Sequence, residues 1–241
     1  MPPLSPLTAF LLQRDHLLLP GTPPLTLHRI CFDAAAFTPA CFAAHDMALP
    51  ASLQRAAPKR LGEFLAGRLA AREALRPFGL AGCSVAIGAA REPLWPAGME
   101  GSISHSQLAG QGVALCGVRP AQGGMGLDLE AWLGPEQGNQ LWPGIVDEDE
   151  WGRLEAGARA LGLDRARGLT LVFSAKESLF KALHPRVGRY FDFLDARWLG
   201  MTAQSLTLEL KVPLTPTLPT GWRCTLHWQP LPGGVLTTLL L

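Results

Sequence analysis

The chain has 241 residues, of which 48% are hydrophobic and 17% charged, with a formal net charge of +1. That is enough for one large domain or two small ones, with apolar matter for a sizeable core. It excludes the strongly basic surface of a general nucleic-acid binder, and no run reaches the roughly 18 uncharged apolar residues of a membrane helix.

The cysteines are Cys31, Cys41, Cys83, Cys116 and Cys224. They are odd in number and never form C-x-x-C, which fits neither a disulfide framework nor a zinc site. A reducing cytoplasm is the expected compartment. The start, MPPLSPLTAFLLQRDH, has no basic n-region and a short apolar run broken by prolines, so no signal peptide is expected.

Residues 1–50 are proline-rich, and within them LTLHRICF (25–32) alternates as a strand does. The stretch 54–79 reads as a long helix. Leu61, Phe64, Leu65 and Leu69 fall at helical spacing, and Pro77 with Gly79 closes it. REPLWPAGMEG (91–101) reads as a loop. SISHS (102–106), GVALCGV (112–118) and GLDLE (126–130) read as strands of an antiparallel meander. DEDEWGRL (147–154) is helical, and GLTLVFSAKESLFKALHP (168–185) is a helix ending at His184-Pro185. SLTLELKV (205–212), WRCTLHW (222–228) and VLTTLLL (235–241) return to strands, with a turn at Pro232-Gly233-Gly234. Helix then strands, twice over, predicts two similar α+β halves.

Four segments carry candidate chemistry. In GLDLE, successive side chains of a strand point to opposite faces, so Asp128 and Glu130 stand side by side. Adjacent like charges repel, so a divalent cation or a Lys or Arg should lie between them, unless the strand face is simply solvated. In FSAKESLFK, Glu177 and Lys181 are an i,i+4 pair that could be a surface salt bridge, while Lys176 points about 100° away round the helix. In GSISHS, Ser102, Ser104 and Ser106 share one face and Ile103 and His105 the other. The hydroxyls and the imidazole suit phosphate oxygens, or this is a Ser-rich edge strand. A Ser-His hydrolase is disfavoured, because there is no G-x-S-x-G and the two side chains diverge. The first helix carries Lys59, Arg60, Arg68 and Arg72, a stripe for a polyphosphate or a solvated face. GGMG (123–126) lacks the spacing of a phosphate-binding loop.

The order and context of GSISHS, GLDLE and FSAKESLFKAL resemble the 4′-phosphopantetheinyl transferases, whose segments run as S-x-S-H-S, G-x-D-x-E and W-S-x-K-E-S-x-x-K. RLGEFLAGRLAAREAL and REPLWPAGMEGSISHS are similar to the enterobactin-synthase branch of the surfactin-type group. The resemblance covers about residues 55–195, including YFDFLDA (190–196); Phe173 departs from the more usual Trp.

The resemblance implies two α+β subdomains in a pseudo-dimer with coenzyme A between them, divided here as 1–130 and 131–241. It implies Mg²⁺-dependent transfer of the phosphopantetheine arm of coenzyme A to a serine of an acyl, peptidyl or aryl carrier protein, releasing adenosine 3′,5′-bisphosphate. Asp128, Glu130 and Glu177 would hold the metal. Glu177 or a metal-bound water would take the serine proton, and Lys181 would neutralise charge on the pyrophosphate. Ser104, His105, Arg60, Arg68 and Lys181 would bind coenzyme A, with Lys59 and Arg91 as further candidates, and Glu150 matches an acidic position near the site. A monomer that binds neither nucleic acid nor membrane is expected. Two rival classes remain: a coenzyme A or nucleotide-binding protein without transfer activity, and a metal-dependent pyrophosphate hydrolase.

Overall fold

A computed structural model describes residues 9–20 and 24–241, so the first eight residues of the proline-rich start lie outside it. The chain divides into two compact units between Ala121 and Gln122.

The first unit contains strands β1 (Leu11–Leu19) and β2 (Leu25–Phe32), a short helix α1 (Ala40–Ala44), and the long helix α2 (Pro58–Leu75). The two-residue strands β3 (Ala86–Ile87) and β4 (Pro93–Leu94) follow, then β5 (Met99–Leu108) and β6 (Gln111–Pro120). An antiparallel sheet runs in the order β1-β2-β6-β5. Helix α2 starts four residues later than expected, because Pro58 at its first turn has its φ preset and no amide to waste. It ends in a tight turn at Arg76–Phe78, where Gly79 takes φ +73°. Leu61, Leu65 and Leu69 of α2 pack with Phe10, Ile30 and Phe32.

The second unit opens with β7 (Met125–Ala131), followed by helices α3 (Pro135–Leu141), α4 (Glu148–Arg159) and α5 (Arg165–Val187). Strands β8 (Ala196–Met201), β9 (Ser205–Leu210), β10 (Arg223–Leu231) and β11 (Gly234–Leu240) complete an antiparallel sheet in the order β7-β11-β10-β9-β8. Leu169, Val172, Leu179 and Leu183 of α5 pack with Trp198, Leu208, Leu226 and Val235. Asp164 caps the start of α5 by accepting from the Arg167 amide at 2.8 Å. The helix runs two residues past Pro185 because its stop is Gly188, at φ +67°, whose N–H reaches the His184 carbonyl at 2.8 Å.

Each unit is thus a mixed helix-and-strand body with one long helix on an antiparallel sheet, as the α+β reading expects. The meander is corrected: β5 and β6 form a hairpin, but β7 pairs with β11, setting Asp128 opposite Thr237. Its ladder ties β7 to the second sheet, so the units divide before this strand rather than at 130/131. Strands β1 and β8 were not anticipated, and the supposed loop 91–101 holds β4 and the start of β5. Among the described residues no helix is long and apolar enough to cross a membrane.

Candidate active site

The second unit's site is built where β7 lies on α5. Glycine makes this approach possible. A Cβ on Gly126 would meet the Ser178 carbonyl oxygen at 1.9 Å, and one on Gly124 would meet that of Ala182 at 2.5 Å. GGMG is therefore a packing device. Across the sheet, buried Thr237 is clasped by two serines one helical turn apart. Its hydroxyl lies 2.9 Å from Ser174 Oγ and 2.8 Å from Ser178 Oγ, and donates to the Ser174 carbonyl at 2.8 Å.

On this face stand Asp128 and Glu130, while Leu127 and Leu129 are fully buried. Asp128 is only 2% exposed, and its Oδ1 accepts from Lys181 Nζ at 2.6 Å. Lys181 also donates to the Leu127 carbonyl at 3.2 Å, a second bond to the same strand. Burial pushes the Glu130 carboxyl up to about 8; Asp128 adds to the rise, Lys181 opposes it, and Glu177 adds again. Glu177 is raised by burial first, with Lys181 opposing and Asp128 adding. The three carboxylates therefore feel one another, with one lysine among them.

A cavity of about 270 Å³ opens beside them, lined by Glu130, Leu133, Ile145, Thr170, Phe173 and Phe193 among others. Phe173 meets Phe193 edge-on at 5.4 Å, so the residue that departs from the usual Trp still supplies an aromatic wall.

Among the described residues no three His, Cys, Asp or Glu side chains are gathered closely enough to hold a metal ion. The donor set nonetheless suits a hard divalent cation. Three half-buried or buried carboxylates offer oxygen only, and their mutual repulsion is what such an ion relieves.

In the first unit, Arg60 Nη1 lies 3.0 Å from His105 Nε2, joining α2 to β5. Arg68 stacks over Phe64 at 4.6 Å and reaches the Ala86 carbonyl at 3.4 Å. Its buried Nε has no partner among the described residues, and burial lowers the guanidinium to about 10. An unspent, partly desolvated N–H on arginine suits an anionic oxygen. Lys59 is exposed and lies 3.9 Å from Glu63. Arg91 is exposed at the β3–β4 turn, with φ +68°. Ser104 is buried on the face of β5 opposite His105, so those two side chains do not converge.

Residues 49–115 match the 4′-phosphopantetheinyl transferase N-terminal domain, and residues 124–231 match the 4′-phosphopantetheinyl transferase superfamily. Enterobactin synthase component D of Salmonella typhimurium (strain LT2) is 36% identical over 195 residues, 80% of this chain and 76% of that protein. The same-named protein of Escherichia coli (strain K12) is 41% identical over 187 residues, 76% of this chain and 82% of its own. 4′-Phosphopantetheinyl transferase PptT of Mycobacterium tuberculosis is 32% identical over 198 residues, 78% of this chain and 75% of its own.

The chain belongs to the 4′-phosphopantetheinyl transferase superfamily. It is an enzyme of that type, and the two matched stretches fall one in each unit.

In this transferase two polar residues that the sequence singled out are committed to each other, a pairing that sequence reading missed. Lys176, fully buried, donates to the Ile145 carbonyl at 2.7 Å and pairs with Glu150 at 3.3 Å. Glu150 accepts from the Trp198 amide at 2.7 Å and from the Asp147 amide at 3.1 Å. The acidic position expected near the site thus holds α4, α5 and β8 together. A lysine 100° round the helix from Glu177 was the available signal. The spacing of Ser174 and Ser178 by four was another. Glu63, one turn from Lys59 and Arg60 on α2, was a third.

Proposed function

We propose that the transferase moves the phosphopantetheine arm of coenzyme A onto a serine of a carrier protein, with Mg²⁺, releasing adenosine 3′,5′-bisphosphate. The observation that carries this reading is the mutual electrostatic influence of Asp128, Glu130 and Glu177, with Lys181 on Asp128 at 2.6 Å. Mere binding of coenzyme A would have no use for three mutually repelling carboxylates. Asp128, Glu130 and Glu177 would hold Mg²⁺, which when bound supplies positive charge against the pyrophosphate.

The protein's own groups do the rest. Arg60, Arg68 and His105 take phosphate oxygens, Arg68 with the N–H it has to spare. The apolar cavity beside Glu130 suits the uncharged arm. The serine oxygen forms a bond to the β-phosphorus as the bond to the bridging oxygen breaks, and adenosine 3′,5′-bisphosphate departs. Glu177, or a water held by the metal, would take the serine proton. Lys181 stabilises charge growing on the leaving phosphate. The relatives named enterobactin synthase component D support a siderophore-assembling synthase as the source of the carrier, among acyl, peptidyl and aryl carriers. We read the enzyme as a cytoplasmic monomer.

Incubation with coenzyme A and Mg²⁺, with and without purified apo-carriers, tests this by intact mass and nucleotide analysis. Transfer adds the arm to the carrier and forms adenosine 3′,5′-bisphosphate only when carrier is present. Nucleotide release without carrier would establish a hydrolase instead, and no product with any carrier would leave a binding protein.

A further inference from the structure

One carboxylate sits where a phosphate-binding cluster should have none. Glu63 lies on α2 among Lys59, Arg60 and His105, with its side chain only 14% exposed. Its ion pair with Lys59, 3.9 Å away and 69% exposed, is of the kind that contributes little. Its other neighbour is His105, whose Nδ1 is 3.7 Å from Glu63 Oε2. The helix meets this strand closely because of Gly67, whose Cβ would come within 3.0 Å of Ile103 Cγ2.

Arginine can only donate hydrogen bonds, so His105 Nε2 accepts from Arg60. An Nε2 that accepts from Arg60 carries no proton, which places the ring proton on Nδ1, the nitrogen 3.7 Å from Glu63. A carboxylate 3.7 Å away on that side favours this tautomer and biases the ring's orientation through its charge. Were the proton on Nε2, two N–H groups would point at each other and Arg60 would turn away.

We propose that Glu63 is a positioning residue, acting through His105 to aim Arg60 at a coenzyme A phosphate. The inference rests on the reading of Arg60 and His105 as phosphate ligands. It predicts a sign that simple electrostatics reverses. A carboxylate beside an incoming phosphate repels it, so its loss should tighten binding unless its positioning role dominates.

The test compares Glu63→Leu, Glu63→Gln and Arg60→Ala by steady-state kinetics with coenzyme A, together with ¹⁵N NMR of His105. Glu63→Leu should raise KM for coenzyme A about tenfold with kcat within about twofold, a loss of about 1.4 kcal/mol in binding. Glu63→Gln, which keeps an acceptor oxygen, should stay within about threefold of wild type on the same scale. His105 should be the Nδ1–H tautomer in the wild type and change in the Leu variant. An unchanged or lowered KM in Glu63→Leu, while Arg60→Ala raises it, overturns the proposal alone. If Arg60→Ala also leaves KM unchanged, the phosphate reading fails and takes the proposal with it. An Nε2–H tautomer in the wild type refutes the proposal whether or not any variant folds.

Discussion

The two units share a plan, one long helix on an antiparallel sheet, yet they hold charge in opposite ways. In the first, Lys59, Arg60 and His105 gather near the surface of α2 and β5 around a single carboxylate. In the second, Asp128, Glu130 and Glu177 are drawn inside with one lysine among them, and Lys176 and Glu150 are buried outright. The difference suits the work proposed for each. Cations that catch a phosphate must meet it from water. Groups that act on a reacting bond gain from a lower dielectric, where each charge counts for more.

That contrast can be broken first by charge removal. Lys176→Met leaves Glu150 buried without its cation and should cost about 3–5 kcal/mol in urea unfolding. Adding Glu150→Gln should restore much of it, whereas Lys59→Met in the first unit should cost at most about 0.5 kcal/mol. Equal losses for the two lysines would erase the distinction.

The glycines sharpen it next. Gly126→Ala drives a methyl group into a backbone oxygen that cannot step aside, and should cost about 3 kcal/mol and most of the transfer activity. Gly67→Ala meets only the Cγ2 methyl of Ile103, at 3.0 Å, and gains helix propensity, so its stability should stay within about 1 kcal/mol of wild type by thermal denaturation.

The smallest effect should be common to both units. The Arg29 guanidinium holds Asp15, and the Lys211 ammonium holds Asp147, below the usual carboxylate range. A lowered folded pKa means the stabilisation is full above the ordinary carboxylate pKa and is lost as pH falls through the lowered value. Arg29→Met and Lys211→Met should each flatten the acid side of the stability curve by well under about 1 kcal/mol, since both pairs are partly exposed. A mutant curve that stays parallel to wild type down to the acid transition would show that the pair contributes nothing there.

Local pattern carried much of this. Strand β2 falls on the alternating span 25–32, and GLDLE places Asp128 and Glu130 on one face as a strand must. What stayed hidden depends on residues far apart in the chain. Nothing in GLDLE says that its partner is β11, more than a hundred residues on, rather than the adjacent β6. The same holds for Lys181 reaching Asp128 and for Glu150 meeting Lys176, since an i,i+4 spacing shows only the neighbours on one helix. The end of α5 was misjudged because Pro185 is tolerated in a last turn that Gly188 closes. Strand β1, LLQRDHLLL, carries four consecutive polar or charged residues, Gln13 to His16, that break the alternation.

The proposed division of labour, phosphate capture in the first unit and chemistry in the second, is tested most directly by Glu177→Gln. Turnover with an apo-carrier and Mg²⁺ is measured beside the Kd for coenzyme A with Mg²⁺ withheld. Turnover should fall by about 10²–10³, as for loss of one preorganised group, while Kd stays within about threefold. Turnover near wild type, or a Kd that weakens in step with the rate, would contradict the assignment of Glu177 to the reaction.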